Sequence, residues 1–152
     1  MALTDEYHLP EMTRVYPGCE SQQATRGPAV AERTAAEIWG ILKAVDAPPF
    51  LWNVFPFHPH EPDNPFTNRR FSAKELAMVD ELNNELFKWL KVRKIIAIGQ
   101  DAAQYAARFG LPVETVRHPS YGGVRDFRAG MARLYKLSPQ PLQASCQASL
   151  LK

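Results

Sequence analysis

The side chains best suited to chemistry in this chain fall in two blocks: Leu51-Trp52-Asn53-Val54-Phe55-Pro56-Phe57-His58-Pro59 and, far downstream, Arg117-His118-Pro119-Ser120. Each block begins where an apolar, strand-like run ends, and it places an amide or an imidazole at the edge where open α/β sheets bind ligands. An amide offers a donor and an acceptor together, and an imidazole can donate a hydrogen bond while remaining neutral. Plainer readings stand beside these, because proline after a strand is ordinary turn chemistry. On those readings Asn53 caps a turn and His118 is a core or surface histidine. His58, His60, Glu61 and Asp63 are also residue types that ligate zinc or iron. The stiff His58-Pro59-His60 run and the lack of a helical His-x-x-x-His spacing make metal-dependent hydrolysis the weaker expectation, so no metal or other cofactor is expected.

The elements that must position these groups alternate between helix and strand. Residues 1–28 are rich in proline, glycine and polar side chains without a period, and read as an irregular arm. Ala35, Ile38, Leu42 and Val45 recur at helical spacing and stop before Pro48-Pro49. Phe50 to Phe55 reads as a strand. The loop from Pro56 to Phe71 has about 16 residues, a length that often marks a binding loop. Ser72 and Glu75 form a capping-box pattern ahead of Leu76, Val79, Leu82, Leu86 and Leu90, which share one face of a predicted helix.

Further on, Lys94-Ile95-Ile96-Ala97-Ile98-Gly99 predicts a buried strand and a turn. Asp101 is placed to cap an alanine-rich helix that runs to Phe109 and stops at Gly110. Val113 to Val116 predicts a short strand, and Phe127, Met131 and Leu134 mark a final helix. The order predicts an α/β domain over residues 29–137, a three-layer sandwich with a short, mostly parallel sheet and helices on both faces. Residues 138–152 read as a flexible tail.

Composition narrows the class. A chain of 152 residues is long enough for one compact core, and its 45% hydrophobic content is that of a globular protein. No apolar run reaches the roughly 20 residues that span a bilayer, and no signal-peptide pattern opens the chain. Two cysteines, Cys19 and Cys146, are too few for a four-cysteine metal site. A reduced, cytoplasmic protein without a membrane partner is expected. The net charge of +2 neither requires nor excludes nucleic acid. Arg69, Arg70, Arg117, Arg125, Arg128 and Arg133 lie in or near the candidate segments, where each can equally be solvated surface.

From Arg33 to Tyr135 the chain resembles the uracil-DNA glycosylase superfamily, in particular its compact bacterial uracil-DNA glycosylase-like branch. The resemblance rests on Phe50 to Pro59, on Ile95-Ile96-Ala97-Ile98-Gly99 and on Val116-Arg117-His118-Pro119-Ser120-Tyr121-Gly122-Gly123, in that order. It implies hydrolysis of the N-glycosidic bond of uracil or a related damaged base in DNA. Asn53 would read the flipped base, His58 would shape the base pocket, and His118 would be the catalytic group that stabilises the departing anion. Ser120, Tyr121, Gly122, Gly123 and Arg125 would hold and distort the DNA strand, and Arg69 and Arg70 would add phosphate contacts.

The first motif of that superfamily, a strand and glycine-rich loop carrying the water-positioning residue, has no counterpart upstream of Asn53. Ile98-Gly99-Gln100-Asp101-Ala102 falls between the two blocks instead and matches a later strand-glycine-helix unit. Arg14-Val15-Tyr16 is a poor substitute for the first strand. A missing N-terminal portion, a rearranged sheet or a strand borrowed from a partner is therefore expected, and a noncatalytic DNA-binding or protein-interaction domain is the alternative function.

Overall fold

The computed structural model describes residues 3–23, 28–64, 67 and 69–138. Its elements are α1 (Met12–Val15), α2 (Arg33–Leu42), α3 (Ala73–Met78), α4 (Asp80–Trp89), β1 (Ile95–Ile98), α5 (Gln100–Ala106), β2 (Val113–Val116) and α6 (Val124–Tyr135), with 3-10 turns at Leu9–Glu11 and Ala107–Phe109. They form two compact units, one made of Met1–Trp52 with Val116–Lys152, the other of Asn53–Thr115. The expected tail and Cys146 lie outside the described residues, apart from Ser138.

In the Asn53–Thr115 unit, β1 and β2 form a small parallel sheet. Parallel neighbours require a crossover, which α5 supplies, and the Ile95 amide donates to the Pro112 carbonyl at 2.8 Å as the pairing begins. Four apolar residues in succession make β1, with Ala97 buried. Gly99 follows at φ +93, a conformation that favours glycine, and it occupies the N-cap position of α5. Asp101 is not the cap expected of it. It lies inside the first turn of α5 and makes no capping hydrogen bond, so its charge acts only on the helix dipole. Gly110 ends the helical run in the left-handed conformation, as its position predicts.

The helix expected from Ser72 to Leu90 is broken in two at Val79. Its start follows the sequence, because the Ser72 side chain accepts from the Glu75 amide while the Glu75 carboxylate accepts from the Ser72 amide. Beyond the break the buried face differs from the expected one: Asn83 is fully buried while Leu82 is 45% exposed. Asn83 is satisfied there, its Nδ2 donating to the Tyr105 hydroxyl at 2.7 Å, and that hydroxyl in turn donates to Asp80 Oδ1 at 2.8 Å. Arg108 pairs with the other oxygen of Asp80 and lies over the Tyr105 ring.

In the other unit, α2 buries Ala35, Ile38, Trp39, Ile41 and Leu42, and α6 buries Phe127 and Met131. These two helices pack together, and Arg128 on α6 grips Glu37 on α2 through two hydrogen bonds of 2.7 and 2.8 Å. Gly130 lets α6 approach Val116, whose Cγ1 is 2.9 Å from where a Cβ would stand. The N-terminal segment is ordered by polar bonds. Asp5 accepts from the amides of His8 and Glu32 and meets His8 Nδ1 at 2.6 Å, while the His8 ring stacks on Trp39. Trp39 Nε1 donates to Thr4, and Tyr16 donates to the Pro49 carbonyl. Arg14 and Val15 are helical, so the substitute strand does not form.

Nor does a strand form from Phe50 to Phe55, a segment with no regular structure. The sheet has two strands among the described residues, and the fold is a mixed α/β arrangement with a smaller sheet than expected.

Candidate functional site

Residues 117–123 join β2 to α6, and the chain makes a tight loop there. His118 Nδ1 lies 3.1 Å from the Ser120 amide, which can only donate, and 2.7 Å from Ser120 Oγ. Accepting at Nδ1 leaves the proton of the neutral ring on Nε2. The loop thus fixes an imidazole that can donate from Nε2 without being charged. Pro119 is fully buried and anchors the turn from within. The Gly123 amide closes it by donating to the Ser120 carbonyl at 3.0 Å. A Cβ on Gly123 would lie 2.1 Å from the His118 carbonyl oxygen, so only glycine fits.

Tyr121 and Gly122 form the exposed tip of this loop. Both have positive φ, +50 and +76, and Tyr121 is 98% exposed. Such a conformation is costly for a bulky side chain, and the ring gains no packing in return. α6 begins directly after the loop, so the free amides of its first turn and the exposed guanidinium of Arg125 are neighbours in sequence of the Ser120-to-Gly123 tip. Asp126 in the same first turn already offsets part of that positive pole.

The other expected residues belong to the Asn53–Thr115 unit. Asn53 is exposed in irregular chain and makes no side-chain hydrogen bond among the described residues. It neither ends a strand nor caps a turn. His58 is exposed and meets His60 edge to face at 6.1 Å, while His60 Nδ1 donates to the Glu61 carbonyl. No group of three or more His, Cys, Asp or Glu side chains is arranged to hold a metal ion among the described residues.

Arg69 and Arg70, although adjacent, are used differently. Arg69 makes two bonds to Glu75, at 2.6 and 3.0 Å, and donates to the carbonyls of His60 and Arg70. It ties the long loop to the start of α3. Glu75 responds: hydrogen bonding from the Arg69 guanidinium, then from the Ser72 amide and hydroxyl, holds its carboxyl down at about 2. Arg70 is exposed and its guanidinium is unpaired among the described residues.

A recess that the sequence reading missed lies beside these arginines. Phe55, Phe57, Pro59, Arg69, Arg70 and Phe71 line a space of about 410 Å³. Phe55 stacks on Phe71 with ring centres 5.0 Å apart and meets Phe57 edge to face at 5.6 Å. The signal was the spacing of Phe55 and Phe57, two residues apart in a proline-rich loop where neither can be a helix stripe. No family model, curated protein or solved structure matches the chain.

Proposed function

We propose that this chain is a uracil-DNA glycosylase-like protein that hydrolyses the N-glycosidic bond of uracil or a related damaged base in DNA. In this reading β1, α5 and β2 supply part of a three-layer uracil-DNA glycosylase-like sandwich. The observation that carries it is the pinned ring of His118: Ser120 occupies Nδ1, and Nε2–H remains as a neutral donor. As water oxygen bonds to the sugar C1′, the bond to the base nitrogen breaks, its electron pair leaves with the base, and the proton shed by the water passes through solvent to the departed base. Negative charge then spreads to the base carbonyl oxygens, where a hydrogen bond from His118 is stronger in the transition state than before it. Asn53 would read the base edge, and Gly122 and Arg125 would hold the flanking phosphates, because the donors of Ser120 and Gly123 are spent within the loop.

Uracil-containing duplex incubated with the full chain should become cleavable by alkali at the uracil, at a low rate because the sequence upstream of Asn53 carries no counterpart of the superfamily's water-positioning motif. His118→Ala should lower the rate by about 10²–10³, the usual loss of a transition-state donor, and Asn53→Ala should abolish the preference for uracil. Full activity in either variant removes that residue from its role.

A second reading, a noncatalytic DNA-binding or protein-interaction domain, is favoured by one observation: Asn53 stands in irregular chain instead of at a strand end. On that reading the uracil duplex stays intact and binds no more tightly than an ordinary one.

A further inference from the structure

We propose that the recess lined by Phe55, Phe57, Pro59, Arg69, Arg70 and Phe71 holds one unpaired nucleotide, with its base stacked on the phenyl rings and its phosphate against Arg70. The inference rests on the DNA-binding part of the reading above and deepens it. It requires no bond cleavage and uses neither His118 nor Asn53.

Shape and chemistry agree on this occupant. A space of about 410 Å³ falls within the roughly 300–1,000 Å³ typical of small-molecule sites. Its walls are planar: Phe55 and Phe71 lie nearly parallel, at 27°, and together form a flat stack, while Phe57 stands across them at 73° to Phe55. Phe57 is 62% exposed, so its ring is accessible to a ligand. A purely apolar partner would satisfy the rings and leave Arg70 stranded.

Charge then selects among planar ligands. Arg69 is neutralised by Glu75 and serves as a positioning residue that holds the loop wall to α3. Arg70 next to it brings to the rim a positive charge that has no partner among the described residues. One aromatic face with one adjacent guanidinium matches one base with one phosphate, the unit that single-strand binders recognise by stacking and charge together. Stacking is blind to base identity, so the recess should accept any unpaired base.

The test uses the full chain and fluorescence anisotropy with a fluorescein-labelled dT decamer and an abasic decamer of equal phosphate count. The dT decamer should bind roughly 5- to 150-fold tighter, the contribution of a stacked base. Phe57→Ala should erase that difference and Phe57→Trp should restore it, which separates stacking from folding damage. Arg70→Gln should weaken both decamers alike and reduce the salt slope by about 0.7, the value for one single-strand phosphate.

Competition identifies the source of the ligand. Displacement by free dTMP, but not by deoxyribose 5-phosphate, assigns a free nucleotide, and displacement by oligomers alone assigns a strand. Equal affinity for the two decamers, or a Phe57→Ala variant that keeps the difference, overturns the proposal. If uracil excision is absent while the dT preference persists, the hydrolase reading falls and the recess stands. Excision without the preference removes the recess alone.

Discussion

An added methyl group at Gly123 would meet the His118 carbonyl oxygen at 2.1 Å, with Arg117 and the Ser120 carbonyl also within 3.1 Å. The Arg117 side chain can move aside, but the two carbonyl oxygens are backbone atoms that cannot yield without opening the loop that holds the imidazole. Gly123→Ala should therefore cost about 2–3 kcal/mol, at the upper end for overpacking. Gly122→Ala should cost about 1 kcal/mol, because its penalty is only the left-handed backbone; a Cβ there meets nothing within 4 Å. Urea midpoints of the two variants check this ordering, and equal midpoints would contradict it. The bond between His118 and Ser120 was not legible: the sequence assigned Ser120 to phosphate, whereas its amide and hydroxyl both meet the imidazole. The role of Gly123 was not legible: the sequence placed it among the residues that hold DNA, whereas the structure brings the loop's own carbonyl against it. For Asn53 the sequence showed a suitable side chain, while the strand meant to aim it is missing.

Helices and strands were legible where their signals were local. Ser72 and Glu75 cap α3, Gly99 precedes α5, and Gly110 ends the turn that follows it. Two elements departed from expectation because tertiary partners decide them. The apolar residues of Phe50 to Phe55 find no neighbouring strand and remain irregular, since a strand needs ladder partners that its own sequence does not supply. Past Val79, the inward position passes from Leu82 to Asn83, whose amide has Tyr105 waiting for it. Tyr105→Phe strips that amide of its short bond and should destabilise the protein by about 1–3 kcal/mol; a neutral result in thermal unfolding would show that another partner satisfies Asn83. The clamp between the long loop and α3 can be tested by pH. Glu75 titrates at about 2 instead of 4.5 in the folded chain, held down first by Arg69. Its contribution should be complete above about 4.5 and disappear as the pH falls toward 2. An NMR titration of the Glu75 carboxyl should find the low midpoint in the native protein and a higher one in Arg69→Gln, whereas an ordinary glutamate midpoint in the native protein would show that the clamp is not maintained.

At the scale of the whole molecule, the mixed α/β class was legible from the alternation of periods after residue 72, and no helix among the described residues is long and apolar enough to cross a membrane. The division into two units was not legible. Periodicity reports which face of an element is apolar, but not which other element covers it, and the pairing of α2 with α6 joins residues far apart in the chain. The N-terminal segment eluded the reading for a related reason: Asp5, His8 and Trp39 are unremarkable singly and become a buried cluster only when α2 is present.

The division into units also bears on the order in which the protein folds. One unit is a continuous stretch, Asn53–Thr115, whereas the other is split around it. Closing a disordered loop of that length costs roughly 4 kcal/mol in chain entropy, and a stretch that has already folded brings its ends together beforehand. The inner stretch also leaves the ribosome before α6, which the outer unit needs to cover α2. Pulse-labelled hydrogen exchange during refolding should therefore protect the amides of β1 and α5 before those of α2 and α6. Earlier protection of α2 with α6 would mean that the outer unit nucleates folding and bears the cost of enclosing an unfolded insert.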